Sequence, residues 1–197
     1  MQTLYRSTRD PKGQTITASQ AVLQGLSPDG GLYVPTSIPE IDLDLNELKD
    51  LSYQDLAYKI LRLLFSDYTD EELRSCIDKA YGDQWDTQEI APVDYHADNA
   101  YLELFHGPTI AFKDVALQLL PHLMTVAAKK NGSDKDIVIL TATSGDTGKA
   151  AMAGFADVPH TQIIVFYPKD GVSAIQEKQM LTQTGKNTHV VGITGNF

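Results

Sequence analysis

Up to about residue 94 the apolar positions recur at helical spacing; beyond about residue 97 they gather into short runs between helix-forming stretches. That change of period predicts two architectures in one chain. In the first part, Ser52 precedes Tyr53-Gln54-Asp55-Leu56, with Leu51 and Leu56 spaced as a hydrophobic staple. Thr69 with Glu72 makes a capping box, and Tyr68 with Leu73 its staple. These signals predict helices near Tyr53–Phe65 and Asp70–Tyr81. Ala57, Ile60, Leu61 and Leu64 share a helical face and are expected to meet a core. Residues 1–96 thus form a small, mostly helical domain in this reading.

Residues 97–197 alternate strand and helix. Strands are expected at Tyr101–Phe105, Ile137–Thr141, Gln162–Tyr167 and His189–Ile193, with helices at Lys113–Lys130, Lys149–Ala156 and Ser173–Thr184. Pro121 removes a hydrogen bond to the Leu117 carbonyl, so the first helix should kink or break there. Ser173 with Gln176 forms another capping box. Alternation of this kind predicts an α/β fold with a parallel sheet covered by helices. Ligands in such sheets gather at the carboxyl ends of strands. Lys113 and the Ser144–Gly148 loop both follow predicted strand ends, which would put them on one rim.

Two stretches carry candidate chemistry. Gly107-Pro108 ends an apolar run, and Lys113 lies where the turn gives way to a helix. The positive end of a helix dipole and apolar neighbours such as Phe112 favour a neutral amine there. A neutral lysine amine suits Schiff-base chemistry with a carbonyl. An ordinary surface lysine fits the same turn, so the turn alone leaves both readings open. The second stretch, Thr141-Ala142-Thr143-Ser144-Gly145-Asp146-Thr147-Gly148, lies between a β-branched run and the helix former Lys149-Ala150-Ala151-Met152-Ala153. Backbone N–H groups and hydroxyls at such a junction suit an anion. Neither the Walker A spacing nor the dinucleotide glycine spacing fits, and a plain βα turn remains open as well.

Together, His106-Gly107-Pro108-Thr109-Ile110-Ala111-Phe112-Lys113-Asp114 and Thr141–Gly148 resemble the threonine synthase family, pyridoxal-phosphate enzymes of the tryptophan-synthase β fold group. The opening Tyr5-Arg6-Ser7-Thr8-Arg9, Asp29-Gly30-Gly31-Leu32-Tyr33-Val34-Pro35, and Tyr167-Pro168-Lys169-Asp170-Gly171-Val172-Ser173 resemble it too. The resemblance implies a fold type II pyridoxal 5'-phosphate enzyme that converts O-phosphohomoserine and water to threonine and phosphate. It implies that Lys113 is catalytic, holding the cofactor as an internal aldimine and then moving protons among the substrate carbons. Phe112 and Asp146 would lie beside the cofactor, although relatives in the wider fold group carry Asn at the Asp146 position. Ser144, Gly145, Thr147 and Gly148 would receive the substrate carboxylate. His106 is open to two readings, a proton relay or a hydrogen-bonded structural histidine. Family members are more than twice this length, so the second domain is expected to be present only in part and these 197 residues to be inactive alone. Two other readings stand beside this one: a related pyridoxal-phosphate lyase or dehydratase, and a synthase-like protein that only binds a ligand.

Composition narrows the partners. A net charge of −10 argues against nucleic acid, which needs clustered Lys and Arg. Hydrophobic content of 42% with 21% charged residues fits a globular core. Cys76 is the only cysteine, so no intrachain disulfide forms, and its neighbours Leu73, Ile77 and Ala80 indicate packing. The histidines lack metal-ligand spacing, so no metal is expected. No apolar leader or membrane-length run is visible in the sequence, and the expected compartment is the cytoplasm.

Overall fold

Polar residues ahead of apolar runs set the helix boundaries in the computed structural model, which describes residues 2–40, 44–143 and 145–195. In chain order the elements are β1 (Tyr5–Ser7), β2 (Thr15–Ile16), α1 (Ala18–Gln24), β3 (Tyr33–Pro35), α2 (Leu45–Leu48), α3 (Tyr53–Leu64), α4 (Asp70–Ala80), β4 (Val93–His96) and β5 (Asn99–Leu102). They continue as α5 (Asp114–Leu117), α6 (Leu120–Lys130), β6 (Ile137–Ala142), α7 (Asp146–Phe155), β7 (Thr161–Pro168), α8 (Ala174–Leu181) and β8 (Thr188–Ile193). Two compact units result: Met1–Lys79 with Leu123–Asp134, and Ala80–His122 with Lys135–Phe197.

The first unit is built around a small sheet that the sequence pattern does not announce. Strand β1 pairs antiparallel with both β2 and β3, in the order β2-β1-β3. Each strand has only two or three residues, too few for a period to show. The helix starts fall where expected. The Ser52 hydroxyl accepts from the Asp55 amide at 3.1 Å. Thr69 and Glu72 close their capping box at 3.2 and 2.8 Å. The core gathers Tyr68, Leu73, Cys76, Ile77, Leu123 and Ala127, each buried. Tyr68 keeps its hydroxyl satisfied there by donating to the Leu123 carbonyl at 3.0 Å. Burial pushes the Cys76 thiol up to about 11, so the sulfur is a packing atom rather than a reactive one. The apolar face of α3 is covered less than the pattern predicts: Ala57, Leu61 and Leu64 are half-buried and Ile60 is exposed.

The second unit holds a parallel sheet in the order β6-β7-β8. Ile139 pairs with Ile163, and Ile163 with Thr188. Alternation along β7 buries Thr161, Ile163, Val165 and Tyr167, and α7 packs against this strand through Gly148, whose missing Cβ would meet Val165. Ala150, Met152, Phe155 and Met180 complete this core. The opposite face is open: Val138, Leu140 and Val191 are exposed. The expected helix cover is therefore present on one face only. Among the described residues, no helix is long and apolar enough to cross a membrane.

One expected strand belongs elsewhere. The run read as Tyr101–Phe105 forms β5 at Asn99–Leu102 and pairs antiparallel with β4 as a separate hairpin. Two residues, Ala97 and Asp98, make its turn, with Ala97 at φ 51°. No Gly marks that turn, which is why the pattern misses it. Lys113 therefore does not follow a strand of the parallel sheet, and the shared-rim expectation fails for it. The predicted break at Pro121 occurs: the helix expected from Lys113 to Lys130 splits into α5 and α6, with Pro121 the second residue of α6.

Helix α5 ends directly on α7. A Cβ at Gly154 would collide with the Leu117 carbonyl oxygen. Gly154→Ala in a free helix would gain up to about 1 kcal/mol. Here the overpacking term, roughly 1–3 kcal/mol, should win. Urea unfolding of the 197-residue chain is expected to show Gly154→Ala less stable than wild type. Equal or greater stability would mean that α5 does not bear on α7.

Candidate functional site

Lys113 is held by a folded turn rather than by a strand end. Pro108 follows Gly107, whose carbonyl accepts from the Ile110 amide at 3.0 Å, and the Ala111 carbonyl accepts from the Asp114 amide at 3.0 Å. Asp114 is fully buried at the start of α5. One carboxylate oxygen accepts from the Thr109 amide at 2.8 Å and the other from the Thr109 hydroxyl at 2.7 Å. Gly107 is required beneath them, since a Cβ there would lie 2.6 Å from Asp114 Cβ. Lys113 takes the N-cap position of α5, half-buried, with Nζ 4.8 Å from the centre of the Phe112 ring. Phe112 is 58% exposed, so it is not a core residue and leaves ring surface free. Because α5 has only four residues, a helix dipole does little at Lys113. The turn sets its direction. Asp114 has no signal in the sequence beyond its place at the end of this stretch; its burial and its two bonds to Thr109 mark it out.

The second stretch starts α7 with glycine. Gly145 is the N-cap at φ 151°, and a Cβ on it would lie 2.5 Å from the Gln176 amide. Two of the N–H groups expected to face an anion are already used. Gly145 and Gly148 both donate to the buried Thr143 hydroxyl oxygen at 3.1 Å. Thr147 lies exposed in the first turn. Ser144 lies outside the described residues. Asp146 opens the helix, three residues before the expected start at Lys149; its carboxylate accepts from Gln176 at 3.0 Å and lies 3.6 Å from Lys149 Nζ. Lys149 itself is buried and donates to Gln179 at 3.0 Å. Gln176 was legible in the sequence only as a helix cap and Gln179 not at all, because their bonds to Asp146 and Lys149 span thirty residues and are set by tertiary packing.

A cavity of about 220 Å³ is lined by Pro108 and Thr109 of the lysine turn, by Lys149 of α7 and by Gln179 of α8. Neither Lys113 nor Thr147 lines it. Behind the turn, His106 is held from both sides. Nδ1 lies 2.6 Å from Asp86 and Nε2 2.8 Å from Glu103. The Asp86 amide also donates to the His106 carbonyl at 3.1 Å. The bond to Glu103, then that to Asp86, raises the imidazole above its ordinary value against the cost of burial. Both ring nitrogens are occupied, which favours the structural reading of His106 over a relay. Among the described residues no group of three or more His, Cys, Asp or Glu could hold a metal ion.

A lysine at a turn–helix junction and a glycine-started helix thus lie in one α/β unit. Residues 4–81 match the family model "Threonine synthase N terminus". Threonine synthase of Saccharomyces cerevisiae is 39% identical over 98% of this chain and 40% of its own length. The crystal structure of threonine synthase from yeast superposes with a TM-score of 0.89 at 37% identity, covering 98% of this chain and 41% of that one. The PLP-bound threonine synthase from Brucella melitensis gives 0.87 at 34% identity, over 98% and 42%. Over 98% of its length the chain is similar to the N-terminal part of threonine synthases. It spans about two-fifths of the length of these relatives.

The His106 tie gives a pH dependence. A raised folded-state value means that the tie stabilises fully below the ordinary histidine value of 6.5 and fades as pH climbs through the raised one. The difference in unfolding midpoint between wild type and His106→Gln should shrink as pH rises above 6.5. NMR titration of the ring should give a midpoint above 6.5; one at or below that value would remove the basis for the tie.

Proposed function

We propose that this chain supplies the lysine wall of a threonine synthase, a pyridoxal-phosphate lyase releasing phosphate from O-phosphohomoserine to give threonine. The observation that carries the reading is Lys113, set by a clamped turn beside an exposed aromatic ring in a chain 39% identical to a threonine synthase. The residues fit the cofactor. Phe112 offers an apolar face 4.8 Å from Lys113 Nζ, and α7 begins at a glycine N-cap. Pyridoxal phosphate, held through Lys113 Nζ, supplies an electron sink for the substrate carbons. With the cofactor bound, Lys113 Nζ would be the group that moves protons among the substrate Cα, Cβ and Cγ.

The carboxylate loop works differently from a simple row of N–H donors. Thr143 already satisfies Gly145 and Gly148, so these glycines shape the loop and keep the helix start rigid. The backbone N–H and hydroxyl of Thr147, with Ser144, are left to meet the substrate carboxylate. Asp146 is fixed by Gln176 and Lys149, and in this proposal it borders the cofactor ring. The domains in this reading are 1–96, and 97–197 as the first part of the cofactor-binding domain. A cytoplasmic location belongs to the same proposal.

In a protein continuing to the relatives' length, Lys113→Ala is expected to lower phosphate release from O-phosphohomoserine by roughly 10²–10⁴-fold. The borohydride-reduced cofactor should map to Lys113 in wild type. Turnover by Lys113→Ala at the wild-type rate, without added amine, would remove the assignment. Thr147→Val should weaken amino-acid binding by roughly 1.5–3 kcal/mol while leaving cofactor uptake intact. Lost cofactor with unchanged amino-acid affinity would assign the loop to the other ligand.

A further inference from the structure

We infer that the Asp114–Thr109 pair is a positioning device for Lys113, fixing the direction of its amine rather than only stabilising the chain. The inference rests on the reading of Lys113 as the cofactor lysine. A buried carboxylate is costly unless its hydrogen bonds are made, and this one spends both oxygens on a residue five positions away. So local a contact ties together no distant elements. What it fixes is the course of residues 109–114.

That course is one the chain would not keep unaided. Ile110 lies at φ 60°, a conformation that β-branched residues avoid and hold only where the surroundings over-determine it. Its side chain is 69% exposed, so packing does not hold it there. The restraint comes from either side: the Ile110 amide on the Gly107 carbonyl, and Thr109 on the Asp114 carboxylate. If the pair opens, Ile110 relaxes to negative φ and the peptide planes leading to Lys113 rotate with it. Helix α5 cannot correct that rotation, because it has one turn and then breaks. Lys113 and Asp114 are adjacent in sequence, so the carboxylate holds the lysine's own backbone. Thr109 and Asp114 are therefore positioning residues, acting through Lys113.

The test uses the 197-residue chain with Thr109→Val, which loses one donor, and Thr109→Ser, which keeps both. Two signals are read at a temperature where each protein is folded. One is the ¹³C resonance of reductively methylated Lys113, assigned with Lys113→Arg. The other is the rate of borohydride-trapped pyridoxal phosphate adduct at Lys113 relative to the other lysines. Thr109→Val should move the methyl resonance toward those of the remaining lysines and cut the adduct preference at least fivefold. Thr109→Ser should stay within twofold of wild type. An unchanged resonance in folded Thr109→Val overturns the positioning role, even if its melting temperature falls. A resonance that follows the pair, with no adduct preference at Lys113 in wild type, supports positioning while removing the cofactor reading. Should Thr109→Val not fold, amide exchange in wild type decides. The Thr109 amide should exchange at least tenfold more slowly than that of Phe112, and equal rates would overturn the proposal.

Discussion

Strand β7 is the constraint on which the second unit depends. It pairs in parallel with β6 on one side and β8 on the other, so each join needs a crossover helix. Helices α7 and α8 are those crossovers, and α7 packs on the buried alternate face of β7. The junction after β6 is thereby fixed at a strand's carboxyl end with a helix start above it, the place where α/β sheets collect ligands. Gly148 makes this possible at close range, since a Cβ would run into Thr143 and Val165. Gly154 does the same further along α7, where α5 comes down on it. The lysine turn is thus tied to the sheet through α7, without a strand of its own in that sheet.

The start of α7 also resolves a conflict between structure and ligand. A helix N-terminus must satisfy its free N–H groups, and Ser, Thr, Asp or Asn at the N-cap usually does so. Gly145 cannot, and the burden falls on Thr143, two residues earlier, whose hydroxyl accepts from two N–H groups. This leaves fewer donors for an anion than the spacing of small residues implies. It also gives those that remain a frame, because both bonds to Thr143 close the turn on itself. Gln176 adds a second restraint, linking Asp146 to the capping box that opens α8.

Much of this was legible in the sequence, and the remainder failed for identifiable reasons. Ser52, Thr69 and Ser173 announced their helices because capping is local chemistry. Pro121 announced its break for the same reason. The strands of the parallel sheet were visible as β-branched runs. The hairpin was not, because neither Ala97 nor Asp98 is a turn residue that marks strand reversal as Gly does. Lys113 stood out through its motif, but Asp114 did not. An acidic residue in a first helical turn is common, and only burial and the two Thr109 bonds distinguish this one. The cover on α3 was over-read, since periodicity reports which face is apolar and not how much of it is packed.

Charge completes the picture. The chain carries −10 overall, yet its proposed ligands are anionic. Around the lysine turn the negative groups are all engaged: Asp114 by Thr109, and Asp86 and Glu103 by His106. Near α7, Asp146 is taken up by Gln176 and lies beside Lys149. Carboxylates in these positions act as structural acceptors, so their charge is answered locally before a ligand arrives. Beside these, the Lys113 amine faces the Phe112 ring and Thr147 is exposed in the first turn of α7. The proposed anion-receptive wall therefore depends on local donor balance rather than on net charge.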